Sequence, residues 1–399
     1  MSLRMNLCLP SSINHSLMTT LCLMCLLVSY FHCSCAQVLN SFPGKSGIGQ
    51  LRNFIIDTKG DYVYVGAVNI IYRLTTELGQ RDALETGPHN DSVNCSPSSA
   101  GSCCAGVLPT DQVCPFEKQP TNSVNQALVL DEKHRTLIAC GTLYQGSCAK
   151  IDLNYFNRMD YVYTPVVPND ENRSVVGFIG HNTVHGDGLL YVGASYSSQG
   201  LEQYRNAVKL LSARQLNTFN YSHHSVEILA RMRNTYQVRF VHGFQHGNYS
   251  NFLVVHRKTL ELETPSSFLL RFCNGKTNQL NSSLVEIGLQ CSYSGLQYGY
   301  LRDAVIAPIS RLVTGMDVAG DNALFTVFTE SEQPVGKSVI CVFRLSDLNT
   351  VYQESIKSCF GGTGTRGPEY IVDKAPCIKS VSQCCVLHDW SFRWIPTLI

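Results

Sequence analysis

Five times along the chain, a short run rich in β-branched and aromatic residues meets a glycine or polar turn and is followed by a second such run. The copies are "DYVYVGAVNIIYRL" (Asp61 to Leu74), "RTLIACGTLYQGSCAKIDL" (Arg135 to Leu153), "GLLYVGASYSSQG" (Gly188 to Gly200), "NFLVVHRKTLELETPSSFLLRFC" (Asn251 to Cys273) and "NALFTVFTESEQPVGKSVICVFRL" (Asn322 to Leu345). Each follows another short run and turn, as in "LRNFIIDTKGD" and "NQALVLDEKH". Runs of this kind, punctuated by Gly, Asp and Asn, are strand-turn-strand signals. Their central residues Tyr64, Leu137, Tyr191, Leu253 and Leu324 lie 73, 54, 62 and 71 residues apart. That spacing is too long for one hairpin and suits a four-stranded sheet with variable loops, which is a propeller blade. The pattern predicts an all-β propeller of about five blades. The first copy is expected to supply two inner strands, with Gly66 allowing close backbone approach and Val68 to Leu74 running back antiparallel. A helical period is almost absent; only Arg205 to Phe219 reads as a short helix.

Two tryptophans, Trp390 and Trp394, both near the end of the sequence, exclude repeats that need a Trp in every copy, such as WD and sialidase-box propellers. Kelch repeats need paired glycines in each blade, and only Gly361-Gly362 is present.

Residues 1–36 read as a secretory signal. Arg4 gives the positive start, "LMTTLCLMCLLVSY" (Leu17 to Tyr30) the apolar stretch, and Ser34, Cys35 and Ala36 a small-residue cleavage site before Gln37. The mature chain is expected to be extracellular, with no membrane insertion. Five of the 18 cysteines (Cys8, Cys22, Cys25, Cys33, Cys35) precede Gln37, leaving 13 for an oxidising compartment, where they are expected mostly to pair. Six sequons follow, at Asn90, Asn94, Asn172, Asn220, Asn248 and Asn281, and predict a glycosylated surface. A net charge of +1 without a long basic run argues against nucleic acid as a partner.

Motifs that suggest chemistry lack the context it needs. "HNTVH" (His181, His185) and "HGFQH" (His242, His246) have zinc-pair spacing, but on a strand four residues span about 13 Å, too far for one metal. "GTGTRG" (Gly362 to Gly367) has no helix pattern after it to cradle phosphate, and "GKS" occurs twice (Gly44 to Ser46, Gly336 to Ser338) without the first P-loop glycine. "KGD" (Lys59 to Asp61) reads as a strand turn. No cofactor is implied. Candidates such as Asp131, Asp187 and Asp321 for a carboxylate pair in a propeller hydrolase fall in turns between strands, where a blade needs acidic residues anyway. The chain is read as a non-enzyme.

"YVGAVNIIYRL" (Tyr64 to Leu74) closely resembles the first-blade signature of the sema domain as plexins carry it. "ACGTLYQGSC" (Ala139 to Cys148), "YRNAVKLLSARQL" (Tyr204 to Leu216) and "VRFVHGFQHGNYSNFLVV" (Val238 to Val255) resemble segments of the second, third and fourth blades. The order Cys273, Cys291, Cys341, Cys359, Cys377 is similar to the plexin order, and the likeness covers roughly Gln37 to Cys385, with a lean to the B-type plexins. The resemblance implies an extracellular semaphorin-binding domain, seven-bladed in the family, of a receptor that crosses the plasma membrane once. It also implies a semaphorin sema domain as partner, homotypic plexin contacts, and a contact surface within Val175 to Arg271. The implied disulfides are Cys140–Cys148, Cys291–Cys341, Cys359–Cys377, Cys95 with Cys103 or Cys104, and Cys273 with Cys384 or Cys385. Cys114 and one cysteine of each doublet are left over.

Beyond Cys385 the sequence departs from the family: "VLHDWSFRWIPTLI" (Val386 to Ile399) resembles none of its modules. The expected organisation is a signal at 1–36, an incomplete sema propeller at 37–385 and a non-family tail at 386–399, with strand edges open at both ends and a tendency to aggregate. The alternatives are a secreted semaphorin-type ligand or soluble decoy, and more distantly the hydrolase.

Overall fold

The computed structural model describes residues 40–44, 50–57, 59–97, 114–181, 186, 188–222, 225–258, 264–274, 280–309, 322–333, 336–363, 366–372 and 377. The chain divides into a unit Met1–Phe42, nearly all outside those residues, and a unit Pro43–Ile399 that holds the blades. The first blade is β1 (Leu51–Asp57), β2 (Tyr62–Ala67), β3 (Ile70–Thr75) and β4 (Gln80–Glu85), joined in that order. A ribbon of β5 (His89–Asp91) and β6 (Gln119–Thr121) leads to the second blade, β7 (Asn125–Asp131), β8 (Thr136–Gly141), β9 (Ser147–Asp152) and β10 (Asp160–Pro165). The third is β11 (Val175–Gly180), β12 (Leu189–Ala194) and β13 (Leu211–Arg214); the fourth is β14 (Arg239–His246), β15 (Tyr249–Arg257), β16 (Pro265–Cys273) and β17 (Val285–Leu289). After a second ribbon, β18 (Cys291–Tyr293) and β19 (Leu296–Tyr298), comes the fifth blade: β20 (Tyr300–Pro308), β21 (Asn322–Thr329) and β22 (Ser338–Arg344).

All pairings within blades are antiparallel, and the first strands β1, β7, β11, β14 and β20 pack each against the next. The five spaced residues of the sequence pattern fall on the second strand of each blade and are buried: Tyr64 0%, Leu137 0%, Tyr191 1%, Leu253 0% and Leu324 0% exposed. Around them stand four apolar clusters, one at each interface between successive blades. Each fully buried large side chain contributes about 1.5–3 kcal/mol, so face-to-face blade packing is the main source of stability.

The repeated Tyr-Val-Gly-Ala motif explains how close that packing is. A Cβ on Gly66 would sit 2.3 Å from Asn125 Oδ1 on the second blade, and one on Gly193 would sit 2.4 Å from the Phe240 ring on the fourth. Both motifs end a second strand where the neighbouring blade's first strand crosses.

The opening copy forms the two middle strands β2 and β3 of the first blade, as expected, with "LRNFIID" supplying β1 before them. Two sequence expectations change. Arg205 to Phe219 is not a helix: one helical turn, Glu202–Arg205, precedes β13, which pairs with β12 and so buries Leu211 and Ala213. A 16-residue helix, α1 (Leu345–Phe360), was not anticipated; Leu345, Leu348 and Tyr352 pack into the interface of blades four and five. The fifth blade also carries apolar side chains on an exposed sheet face. Val305 57%, Val327 36%, Ile340 68% and Val342 52% are exposed on the fifth blade.

The disulfides Cys140–Cys148, Cys291–Cys341 and Cys359–Cys377 are formed, the first between residues directly opposed on β8 and β9. Cys95 bonds to Cys114, not to Cys103 or Cys104, which lie outside the described residues. The β5–β6 ribbon is the reason: continuing its register brings Cys95 level with Pro115, beside Cys114. Cys273 is also disulfide-bonded. Cys384 and Cys385 lie outside the described residues.

Candidate functional site

Strand direction sorts the loops of the third and fourth blades onto two rims. β12 and β15 run from one rim to the other, so the β12–β13 and β15–β16 connections share a rim, while the β14–β15 turn lies on the opposite one. The first rim carries the longest described excursion from a blade, Ser195 to Lys209. Its ends meet through Ala194 N–H donating to Leu210 O at 3.0 Å. Its root is fixed by Ser195, whose hydroxyl lies 2.5 Å from Ser174 Oγ and donates to Val238 O at 2.6 Å. Ser174 Oγ in turn accepts from Phe240 N–H at 2.8 Å, so one serine pair ties the excursion to the fourth blade. Farther along, Ser197 Oγ donates to buried Asp170 at 3.0 Å, and Asp170 also holds Arg173 at 2.9 Å.

The excursion walls two adjoining shallow clefts. One is lined by Tyr196, Arg205, Asn206, Lys209, Glu227 and Arg233; the other reaches Gln145 and Asn169 of the second blade. Glu227 accepts from Lys209 at 2.5 Å and Arg233 at 3.2 Å, and Arg233 also donates to Asn206 at 2.7 Å. Arg205 donates to Ser198 O at 3.1 Å, while its buried Nε has no hydrogen-bond partner. Arg205, Lys209 and Arg233 thus line this cleft with a single carboxylate, Glu227, which pairs with the last two. Exposed Glu202, Gln203, Arg231 and Lys258 complete the rim.

The residues that suggested catalysis are not assembled. Asp131 is buried in the β7–β8 turn and lies 2.7 Å from the His134 ring; Asp187 and Asp321 lie outside the described residues. His242 and His246 are both on β14, and burial lowers the pKa of His242. His181 is exposed and His185 lies outside the described residues, among which no group of three metal-binding side chains occurs. "GTGTRG" follows the end of α1 instead of opening a helix. "KGD" forms the β1–β2 turn, where Asp57 accepts from Lys59 N–H at 3.2 Å and Gly60 N–H at 3.1 Å. Among the sequons, Asn90, Asn172, Asn220 and Asn248 are exposed, while Asn94 and Asn281 are half-buried. Asn220 and Asn248 occupy the rim opposite the clefts. The clefts themselves were not legible in the sequence, because Arg205, Lys209, Glu227 and Arg233 converge only once β13 has paired.

This architecture, five antiparallel blades with cross-strand and inter-strand disulfides, is a sema-type propeller. The Sema domain family matches residues 306–384. Human Plexin-A4 is 28% identical over 377 residues, 86% of this chain, and mouse Plexin-A3 is 27% identical over 366 residues, 80% of this chain. These relatives are A-type plexins, against the B-type lean of the motifs, and the chain spans about a fifth (19%) of Plexin-A4. In structure, the full extracellular region of Plexin A4, domains 1 to 8, aligns with a TM-score of 0.65 at 24% identity, covering 84% of this chain and 39% of that one. Drosophila Semaphorin 1a, extracellular domains 1-2, aligns with a TM-score of 0.53 at 14% identity, covering 79% and 57%. By fold the chain is a sema propeller, and within that class its sequence similarity is to the plexins.

Proposed function

We propose that this chain is the ligand-binding propeller of a plexin-type receptor and takes a semaphorin sema domain on the rim formed by the Ser195–Lys209 excursion and the Glu227–Arg233 segment. The observation that carries the reading is the coincidence of plexin-like sequence with a preformed, cation-rich double cleft on blade three. The first of the two clefts lies inside the interval Val175 to Arg271 to which the resemblance points, and the second extends from it to Gln145 and Asn169. The rim is built from polar side chains held by backbone and serine hydrogen bonds, so recognition would proceed by shape and charge complementarity with little rearrangement. An extracellular setting and N-glycans at the exposed sequons belong to the same proposal, as does the division into a signal at 1–36 and a propeller at 37–385. Glycans on Asn220 and Asn248 would leave the cleft rim clear.

The test is binding of soluble semaphorin extracellular regions to the secreted chain by surface plasmon resonance. Saturable binding is expected for at least one. The pair Glu202→Arg and Arg231→Glu should weaken it at least tenfold, about 1.4 kcal/mol, while Asn248→Gln on the other rim leaves it unchanged. Absence of binding across the semaphorins, or binding indifferent to the rim pair, would contradict the proposal.

A further inference from the structure

A small cleft lies between the fourth blade and the first turns of α1. Its polar lining is His246 of β14, Asn251 of β15, Arg271 of β16 and Asn349 of α1, and Phe244 and Leu348 give it apolar sides. No carboxylate is among the described residues that line it. Cross-strand register explains the grouping, since Phe244, Asn251 and Arg271 stand opposite one another on three neighbouring strands. α1 packs beside that row, where Tyr352 Oη donates to Leu269 O at 2.9 Å. The row ends near the β14–β15 turn, on the rim opposite the Ser195–Lys209 excursion.

Arg271 is a buried cation without a counterion. Only 8% of it is exposed, and it forms no ion pair among the described residues. Its one hydrogen bond runs from Nη1 to Asn349 Oδ1 at 2.7 Å. Aromatic rings flank it, with the Tyr249 centroid 3.4 Å and the Tyr352 centroid 4.7 Å from Cζ. Nε is enclosed with no partner; Nη2 makes no hydrogen bond either but is not enclosed. Asn349 uses Oδ1 on Arg271, which leaves its amide nitrogen as a donor beside the cleft. Asn251 is buried, and its amide nitrogen has only a long contact of 3.4 Å to Tyr249 O. The first turn of α1 adds the positive end of a helix dipole, and its one carboxylate, Asp347, is exposed and outside the lining. A buried charge is costly to keep unless an opposite charge meets it.

We propose that this cleft binds one small monovalent anion, a chloride ion or a single carboxylate group, held by Arg271 Nη2 and the amides of Asn349 and Asn251. One permanent cation in the lining matches one negative charge, whereas sulfate or phosphate would bring a second charge with no partner. The site is separate from the cleft rim and does not depend on semaphorin binding.

Thermal melts of the secreted full chain, titrated with sodium chloride and separately with sodium acetate, test this, and chlorine-35 NMR line widths read ion binding directly. Two variants serve as references, since they share every nonspecific effect of salt. Arg271→Met replaces the cation with an apolar chain of similar length, and Asn349→Asp supplies Arg271 with a carboxylate from within the chain. The melting temperature of the unaltered chain should rise saturably, by about 2 °C or more beyond the rise in either variant. Asn349→Asp should start from a higher melting temperature at low salt. If Arg271→Met is not secreted, Asn349→Asp, at a half-buried helix position, carries the comparison alone. Saturation by chloride, with line broadening that the variants lose, assigns the site to the free ion. Saturation by acetate without chloride broadening assigns it to a carboxylate group borne by another molecule. Parallel salt responses in the unaltered chain and the variants, or no saturable response in the unaltered chain, would overturn the proposal.

Discussion

Asp57 shows how one residue can secure an interface. It is fully buried at the end of β1, accepts two turn N–H groups and takes a bidentate bond from Arg135 of the second blade at 3.0 and 2.7 Å. Burial pushes its carboxyl pKa up, but the Arg135 guanidinium and the Gly60 and Lys59 amides outweigh that, and the net shift is downward. A carboxyl with a depressed folded pKa adds stability above its unfolded value, about 3.9, and loses it as pH falls through the folded value. Asp57→Ala should therefore cost about 3 kcal/mol at pH 7 in denaturant unfolding, since it strands a guanidinium at the interface. The gap to the unaltered chain should narrow progressively as pH falls below about 3.9 and through the depressed folded value; a pH-independent gap would mean that the charge is irrelevant. Sequons belong to the same scale. Glycopeptide mass spectrometry should find Asn90, Asn172, Asn220 and Asn248 occupied and Asn281 largely empty, because Asn281 is half-buried with its Oδ1 enclosed. A glycan on Asn281 at the level of the exposed four would contradict that.

At the scale of elements, the second strands were legible and α1 was not, for a physical reason. Tyr64, Leu137, Tyr191 and Leu253 sit in continuous apolar runs because their middle strands are largely buried, and Leu324 repeats the pattern on β21 although Val327 of the same strand is exposed. Leu345, Leu348, Tyr352, Ile356 and Cys359 do follow a helical spacing, but only one face of α1 is buried, and its polar residues mask the period beside so many strand runs. The Cys95–Cys114 bond was hidden for another reason: it depends on a ribbon whose strands have three residues each, one containing Pro120. The rim clefts depend on long-range convergence and left no local trace. α1 is integral to the fold. Leu348→Ala should destabilise by about 2–4 kcal/mol, and Tyr352→Phe, which removes the bond to Leu269 O at 2.9 Å, by about 1 kcal/mol, both read by thermal or denaturant melts. Negligible effects would place α1 outside the cooperative unit.

For the molecule as a whole, stability resides in four interfaces between five blades, and each interface is built on the second strands at its two sides. The binding rim is a by-product of this arrangement, since rigid stacked sheets hold their connecting loops in fixed positions while leaving them free to vary. The disulfides reinforce blades two and five and fasten α1, so reduction should loosen loops and ribbons before it separates the blades. Amide hydrogen exchange followed by mass spectrometry tests this organisation most directly. The slowest-exchanging amides are predicted in five separate patches, on β2, β8, β12, β15 and β21, with faster exchange on β1 and β22. Slow exchange gathered into one contiguous segment, or absent from any of those five strands, would contradict it.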